Sequence, residues 1–312
     1  KGKWKSWLNV QVVGETVASS VCWDDVLWWR VLDNDSNQIL VLSEVEEYHQ
    51  DIVDAKHKEL LNLEGNNVFE VIEDVGQKAI SSRWVIEEKM KDDKKIVKAR
   101  LVARGFEEVL VDKRVDSPTC SREALRLILV TSSTMDWEVH SLDISSAFLQ
   151  GNQLERHVVV RPPKDICEKG KLWKLNRCLY GLSDAPREWY NKVKEKLEEL
   201  KGKASLYDQS MFLWHENDEL CGILVIHVDD FIYGGIPTWH ERVIGSLMKE
   251  FKISRMKKCA FRYLGLNLQQ SGDSILVDQF LYIDNLKEIS IDSLRKKQVN
   301  DKLTCLLYTS PS

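Results

Sequence analysis

An apolar–acidic–apolar pattern between residues 223 and 235 is the clearest structural signal in the chain. Four aliphatic residues at 223–226 precede His227-Val228-Asp229-Asp230, and a second apolar segment follows at 231–235. Apolar runs of this length on both sides of a short polar segment predict two strands joined by a tight turn. The sequence therefore predicts a β-hairpin whose tip presents two adjacent carboxylates.

Hydrophobic periodicity predicts a mixture of helices and strands elsewhere. Ser121 stands where the N-cap of one helical segment is expected. A second hairpin is predicted around the polar turn at 91–94. The predicted helices cover 44–63, 121–132 and 186–200, and the predicted strands cover 68–72, 84–90, 96–103, 137–142, 158–160 and 172–175.

A third carboxylate, Asp143, ends the alternating segment at 137–142. Hard oxygen ligands suit Mg²⁺ or Mn²⁺, so Asp143 together with Asp229 and Asp230 predicts a site for two metals. Acidic dipeptides are also common turn formers, and a plain surface turn is the alternative interpretation. The apolar strands on both sides of the pair and the second apolar-flanked aspartate favour the metal site.

Composition narrows the class of protein. The 312 residues have a net charge of −5, yet residues 83–104 carry eight basic side chains against four acidic, and residues 156–203 carry thirteen against seven. Such stretches favour a nucleic-acid channel, with a solvated surface as the alternative. No apolar run approaches the roughly eighteen residues of a membrane span, and the start resembles no signal peptide, so we expect a soluble chain, a fragment of a longer one. The seven scattered cysteines indicate neither a disulfide framework nor a zinc site.

Five sequence blocks resemble the reverse transcriptase of Ty1/copia-type retrotransposons, in the order and with the spacing of that family. They are KARLVARGF at 98–106, LDISSAFLQG at 142–151, LYGLSDAPREWY at 179–190, VDD at 228–230 and YLG at 263–265. The resemblance covers about residues 51–282. It implies an α+β right-hand polymerase with fingers and palm and an incomplete thumb over 49–290, and a poorly ordered linker at 1–48. The atypical tail at 291–312 resembles nothing in the family, and a non-native origin is one interpretation of it.

The resemblance also implies the catalytic roles. Asp143 and Asp229 would bridge two Mg²⁺ (or Mn²⁺) ions, Asp230 would support them, and the carbonyl of Ile144 would add a ligand. Two ions in such a site clamp the attacking and leaving oxygens of a nucleotidyl transfer.

A second group of residues would bind the nucleotide and the primer. Arg100 is the candidate for gripping the triphosphate, since its planar fork chelates phosphate oxygens. Phe148 matches the steric gate that excludes a ribose 2′-hydroxyl, with ordinary core packing as the alternative. The further nucleotide-binding candidates are Lys98, with Lys89 and Lys95 as nearby alternatives, and Tyr180 and Gly181; the primer-positioning hairpin is Tyr263, Leu264 and Gly265.

Two substitutions depart from the family pattern. His227 replaces the usual aromatic residue, and Ser183-Asp184 replaces the usual Lys-Gln. We expect the fold to tolerate His227, either as a passive replacement or as a primer contact that makes activity depend on pH near neutrality. Asp184 would place an anion close to the expected triphosphate.

The sequence thus predicts an RNA-directed DNA polymerase that transfers nucleotides from dNTPs to a primer 3′-hydroxyl. A catalytically inactive transposon relic, or a co-opted nucleic-acid-binding module, is the alternative, and a metal-dependent nuclease fits the ordered blocks less well. The implied partners are an RNA or DNA template with primer, dNTPs and other parts of the Pol polyprotein, such as integrase and ribonuclease H, with no membrane. The implied location is the cytoplasm, in a virus-like particle, or the nucleus.

Overall fold

The computed structural model describes residues 42–91, 94–108 and 114–286, together with the short strands at 7–10, 19–22, 31–32 and 39–40. Most of the segment predicted as a linker, and the whole of the tail at 291–312, lie outside the described residues. The predictions for these two segments therefore stay predictions.

The described elements confirm the predicted α+β class. The helices are α1 (Leu42–Gly65), α2 (Arg122–Thr134), α3 (Ala185–Glu199), α4 (Pro237–Trp239), α5 (Gly245–Glu250) and α6 (Phe280–Asp284), with a π-helical turn at His240–Ile244. The strands are β1 (Trp7–Val10), β2 (Ser19–Cys22), β3 (Val31–Leu32), β4 (Ile39–Leu40), β5 (Phe69–Glu73), β6 (Ile80–Lys91), β7 (Lys94–Ala103), β8 (His140–Ile144), β9 (Val159–Arg161), β10 (Lys171–Leu175), β11 (Lys203–Ala204), β12 (Met211–Glu216), β13 (Glu219–His227), β14 (Asp230–Gly235), β15 (Ile253–Lys258), β16 (Ala260–Tyr263), β17 (Leu266–Ser271) and β18 (Ser274–Asp278).

The chain divides into two compact units. The first comprises residues 1–115 and 148–188, and the second comprises residues 116–147 and 189–312. Both units are discontinuous in sequence, and α3 begins in the first unit and continues in the second.

The first unit is built on a five-stranded sheet in the order β5-β10-β9-β6-β7. Its longest pairing is the antiparallel β6–β7 hairpin, which confirms the hairpin predicted around 91–94. Apolar residues from α1, this sheet and the loop before α3 form its core, with Leu63, Leu101, Val160 and Leu179 fully buried. The core supports the loop that carries Tyr180 and Gly181.

The second unit contains a six-stranded antiparallel sheet in the order β11-β12-β13-β14-β8-β15 and a three-stranded sheet, β16-β17-β18. Side chains of α2, β13, β14 and the smaller sheet make its core, including Ile128, Val225 and Ile232. The Ser121 side chain accepts a hydrogen bond from the Ala124 amide at 3.0 Å and so caps α2 as predicted.

The observed bounds of β8 are shifted towards the C-terminus relative to the prediction. The alternation at 137–142 predicted a strand with Asp143 at its end, and β8 runs from His140 to Ile144. Both edges of β8 are paired, by β14 and β15, and this pairing extends the strand to Ile144. Asp143 is therefore a strand residue with a fixed neighbour on each side.

Of the helices in the described ranges, none is both long and apolar enough to span a bilayer.

Candidate active site

The tight turn between β13 and β14 confirms the predicted acidic hairpin. His227 pairs with Asp230, so that Val228 and Asp229 form the two-residue loop. Val228 has a φ of 57°. A positive φ is unfavourable for a β-branched residue, and such conformations persist where the surroundings determine them, often at functional sites.

Asp143 lies beside this turn because β8 pairs with β14. Asp230 and Asp143 are direct partners in the antiparallel register, and the Ile144 amide donates to the Asp229 carbonyl at 2.8 Å. Directly opposite residues of an antiparallel pair project from the same face, with Cβ atoms about 5 Å apart. The structure thus brings the three predicted carboxylates and Ile144 to one place in the second unit.

The electrostatics of the cluster are those of crowded carboxylates. Partial burial, and then the charges of Asp229 and Asp143, raise the pKa of Asp230 to about 6. Asp143 accepts a hydrogen bond from the Ser254 hydroxyl at 2.6 Å, a contact that sequence spacing did not indicate. A divalent cation would relieve the mutual repulsion of these oxygens.

The side chains do not yet converge on one point. Among the residues that the structure describes, no three His, Cys, Asp or Glu side chains are grouped so that they could hold a metal ion. The donor chemistry of Asp143, Asp229 and Asp230 fits Mg²⁺ or Mn²⁺, since carboxylate oxygens are the hard ligands that these ions prefer.

His227 borders the same turn. Burial lowers the pKa of its imidazole, against the opposing charge of Asp229. The shift favours the neutral form of the ring.

Three of the predicted nucleotide-binding residues contact one another in the first unit. The Arg100 guanidinium lies over the Tyr180 ring, 5.8 Å from its centroid, and the Tyr180 and Phe148 rings are 5.8 Å apart. Arg100 also pairs with Glu87 at 3.3 Å, and Glu87 lies 3.4 Å from the Lys89 ammonium. Arg100, the candidate for binding the triphosphate, thus already pairs with a carboxylate.

Gly181 and Lys98 complete this group. Gly181 has a φ of 89°, and a Cβ at this position would overlap the carbonyl of Ala103. The Ala103 amide donates to the Tyr180 carbonyl at 2.7 Å, so β7 and the turn approach as closely as only glycine allows. Lys98 lies two residues before Arg100 on the same strand, opposite Glu87.

The predicted primer-positioning residues form the β16–β17 turn of the second unit. Leu264 and Gly265 both have positive φ, 47° and 82°, which suits a two-residue hairpin loop. Leu264 is exposed, whereas Tyr263 is buried and its hydroxyl donates to the Asp230 carbonyl at 3.3 Å. Tyr263 therefore faces the carboxylate turn.

Asp184 is fully buried and is paired with a guanidinium. Arg156 binds it in a two-pronged manner, with nitrogen–oxygen distances of 3.0 and 2.7 Å, and also pairs with Glu108. Burial alone would lower the pKa of Arg156, but its bonds to Asp184 and the charge of Glu108 raise it. Sequence reasoning missed Arg156, because nothing in its spacing marks it as the partner of Asp184.

The predicted site residues thus form two groups. Asp143, Ile144, Asp229, Asp230 and Tyr263 belong to the second unit, and the nucleotide-binding candidates belong to the first.

Comparisons with known proteins identify the family. A family described as reverse transcriptase (RNA-dependent DNA polymerase) matches residues 66–299. The chain is 29% identical over 274 residues to a retrovirus-related Pol polyprotein from transposon TNT 1-94 of Nicotiana tabacum, covering 83% of this chain and 20% of the polyprotein. It is 27% identical over 216 residues to a truncated transposon Ty1-A Gag-Pol polyprotein of Saccharomyces cerevisiae, covering 67% and 17% of the two chains.

A solved structure of the foamy viral protease-reverse transcriptase in complex with double-stranded DNA has a TM-score of 0.39 and 14% identity, covering 73% of this chain and 35% of that one. The chain spans a fifth or less of the length of each of these polyproteins. Since the family match covers most of its length, the chain belongs to the reverse transcriptase (RNA-dependent DNA polymerase) family, in the form found in copia-type retrotransposon Pol polyproteins.

Proposed function

We propose that this chain is itself an RNA-directed DNA polymerase, which adds dNTPs to the 3′-hydroxyl of a primer on an RNA or DNA template. The observation that carries the proposal is the register that sets Asp143 directly opposite Asp230, with Asp229 next to it in the turn. Family membership supports the reaction class, and this register supports the site.

The carboxylates of Asp143, Asp229 and Asp230, with the carbonyl of Ile144, would hold two Mg²⁺ (or Mn²⁺) ions. Reverse transcriptases in general use divalent metals, and such ions neutralise charge that develops on the attacking and leaving oxygens. The role of the chain is to keep these oxygen donors at fixed positions. The paired strands β8 and β14 supply that rigidity, because each holds its aspartate in a hydrogen-bonded register.

Arg100, Lys98, Phe148, Tyr180 and Gly181 would bind the incoming nucleotide. Arg100 would exchange its bond to Glu87 for the triphosphate, which as a multiply charged anion competes well for a guanidinium. The Phe148 ring beside Tyr180 would select against a ribose 2′-hydroxyl. Gly181 would keep the turn that carries Tyr180 close against β7.

The proposed partners follow from this reaction and from the polyproteins that the chain resembles. They are a template with primer, dNTPs, and other Pol segments such as integrase and ribonuclease H. We propose the cytoplasm, within a virus-like particle, as the location, with the nucleus as the alternative.

The test is extension of an oligo(dT) primer on poly(rA) with dTTP and Mg²⁺ or Mn²⁺. We expect Asp229→Asn to lower the rate at least about a thousandfold, since it removes a charged metal donor worth several kcal/mol. Asp218→Asn is the matched control, because Asp218 is an exposed aspartate in the β12–β13 turn. Thermal unfolding of each variant checks that the fold is retained.

Extension that is lost only in Asp229→Asn would support the polymerase. Folded wild-type protein that binds the primer–template but does not extend it would contradict the proposal and indicate a binding module. Extension that survives in Asp229→Asn would show that the reaction does not depend on this cluster.

A further inference from the structure

All three carbonyls of the Val228–Asp230 turn accept a hydrogen bond from outside the turn. The Trp189 indole N–H donates to the Val228 carbonyl at 2.7 Å, and the Ile144 amide donates to the Asp229 carbonyl at 2.8 Å. The Tyr263 hydroxyl donates to the Asp230 carbonyl at 3.3 Å. These donors belong to three different elements, α3, β8 and β16. The turn is therefore fixed from several directions within the second unit.

The two side-chain donors have little freedom to move. Trp189 is 1% exposed and Tyr263 is 3% exposed. The Trp189 ring also packs edge-on against Phe251, with centroids 5.1 Å apart. Close packing holds buried aromatic rings in one rotamer, so each donor stays at one position.

The hydrogen bond from Trp189 is made to Val228, a residue with an unfavourable backbone conformation. Val228 has a positive φ although its side chain is branched at Cβ. A backbone in such a region relaxes unless the surrounding structure holds it. Loss of the indole N–H would let the turn relax, and Asp229, the next residue, would move with it.

We propose that Trp189 and Tyr263 are positioning residues for nucleotidyl transfer, which hold Asp229 and Asp230 in place opposite Asp143. The inference rests on the proposed function and adds to it. It gives Tyr263, predicted as a primer contact, a role toward the catalytic turn, and it assigns a role to Trp189, for which the sequence predicted only packing.

The variants Trp189→Phe and Tyr263→Phe remove one donor each and keep an aromatic ring. The chain offers a matched control for each of them. The Trp214 indole donates to the Leu200 carbonyl at 2.9 Å, and the Tyr190 hydroxyl donates to the Gln209 carbonyl at 2.8 Å, and both side chains are buried. Trp214→Phe and Tyr190→Phe therefore lose the same kind of bond at acceptors outside the turn.

Hydrogen exchange in metal-free protein is the first measurement, since it does not need activity. We expect peptides that contain Val228–Asp230 to exchange at least about tenfold faster in Trp189→Phe and Tyr263→Phe, because the lost bonds hold the turn closed. The two control variants are expected to leave exchange of these peptides unchanged.

Steady-state primer extension is the second measurement. We expect kcat to fall about tenfold in both test variants, the effect of one lost buried hydrogen bond on the reacting geometry. The Mg²⁺ concentration for half-maximal rate should rise, while KM for dTTP stays the same. The control variants are expected to keep wild-type kcat even where they unfold at lower urea concentration.

The two measurements separate the inference from the proposed function. If the wild type does not extend a primer but the turn exchanges faster in the two test variants, the bracing contacts are supported and the proposed polymerase function is overturned. Unchanged exchange in both test variants would overturn the bracing. Faster exchange with unchanged kcat, or an equal loss of kcat in the controls, would overturn the positioning role.

Discussion

At the scale of single residues, Asp184 illustrates how its surroundings decide what a charge does. In the sequence, Asp184 places an anion where the family usually has the amide of Gln, close to the expected position of the triphosphate. In the structure it has no exposed surface and accepts two bonds from Arg156. The guanidinium at about 3 Å offsets much of the field of Asp184, although Glu108 shares the same guanidinium, so Asp184 is a stabilising residue of the first unit.

Asp184→Asn should therefore destabilise the protein and leave nucleotide affinity intact. Removing one partner of a buried ion pair costs about 3 kcal/mol of unfolding free energy. Urea denaturation at pH 7 measures this loss, and KM for dTTP measures affinity. Glu199→Gln is the control, since its pair with Lys196 is exposed and worth less than about 1 kcal/mol. A lower KM for dTTP in Asp184→Asn would show that its charge reaches the nucleotide.

Phe148→Ala should weaken selection against ribonucleotides. The half-buried ring lies against Tyr180, and its removal opens the space that a 2′-hydroxyl needs. We expect the ratio of kcat/KM for dTTP to that for UTP on poly(rA) to fall at least about tenfold. Phe148→Tyr keeps the ring and should keep the ratio. If Phe148→Ala only destabilises the protein, the ring is a packing residue and not a gate.

At the scale of elements, the hairpin of β13 and β14 is shaped by what packs on its glycines. A Cβ at Gly222 would overlap the Trp239 ring, and one at Gly235 would come within 2.6 Å of the same ring. Trp239 is fully buried and packs edge-on against Trp214, 5.2 Å away. The two glycines thus admit a large ring onto the sheet, at the opposite end of the strands from the carboxylates.

Two glycine-to-alanine variants, which should change the free energy of unfolding in opposite directions, test this explanation. Gly222→Ala should lower the free energy of unfolding by about 1–3 kcal/mol through overpacking against Trp239. Gly245→Ala should raise it by about 0.5–1 kcal/mol, because Gly245 is helical, with a φ of −58°, and has open space for a Cβ. Urea denaturation of both proteins measures the difference. Changes of the same sign would contradict the packing account.

At the scale of the whole molecule, the balance of charge differs from what the local stretches suggest. Residues 156–203 carry an excess of basic side chains, but Arg161, Lys171 and Lys174 pair with Asp74, Glu73 and Glu70. Ion pairing of this kind reduces the charge that a stretch offers to phosphates. Because the net charge of the chain is −5, we expect a limited set of Lys and Arg side chains to bind the phosphates of a primer–template.

Binding of a primer–template should nevertheless depend steeply on salt. We expect Kd to rise about a hundredfold between 50 and 200 mM salt, as for about four phosphate contacts. Lys174→Gln, whose ammonium is already paired with Glu70, should leave the slope of log Kd against log salt unchanged. A flat salt dependence in the wild type would contradict a phosphate-binding channel.

The local elements and the identities of the candidate residues could be predicted from the amino-acid sequence. The β13–β14 hairpin, the Ser121 cap of α2 and the β6–β7 hairpin all follow from periodicity, capping and turn chemistry, which act between residues close in the chain. The family, too, was readable from ordered blocks. These are properties that a few neighbouring residues are sufficient to encode.

The contacts between residues far apart in the chain could not be predicted in this way and became visible in the folded protein. The register that sets Asp143 opposite Asp230, the bond from Trp189 to Val228 and the Arg156–Asp184 pair each join segments far apart in sequence. Their geometry depends on how sheets and helices pack around two cores, and no local pattern specifies that packing. Hydrogen-bond partners that are far apart in sequence are selected by the way the whole unit buries its apolar surface. The residues next to each partner in the chain do not select them.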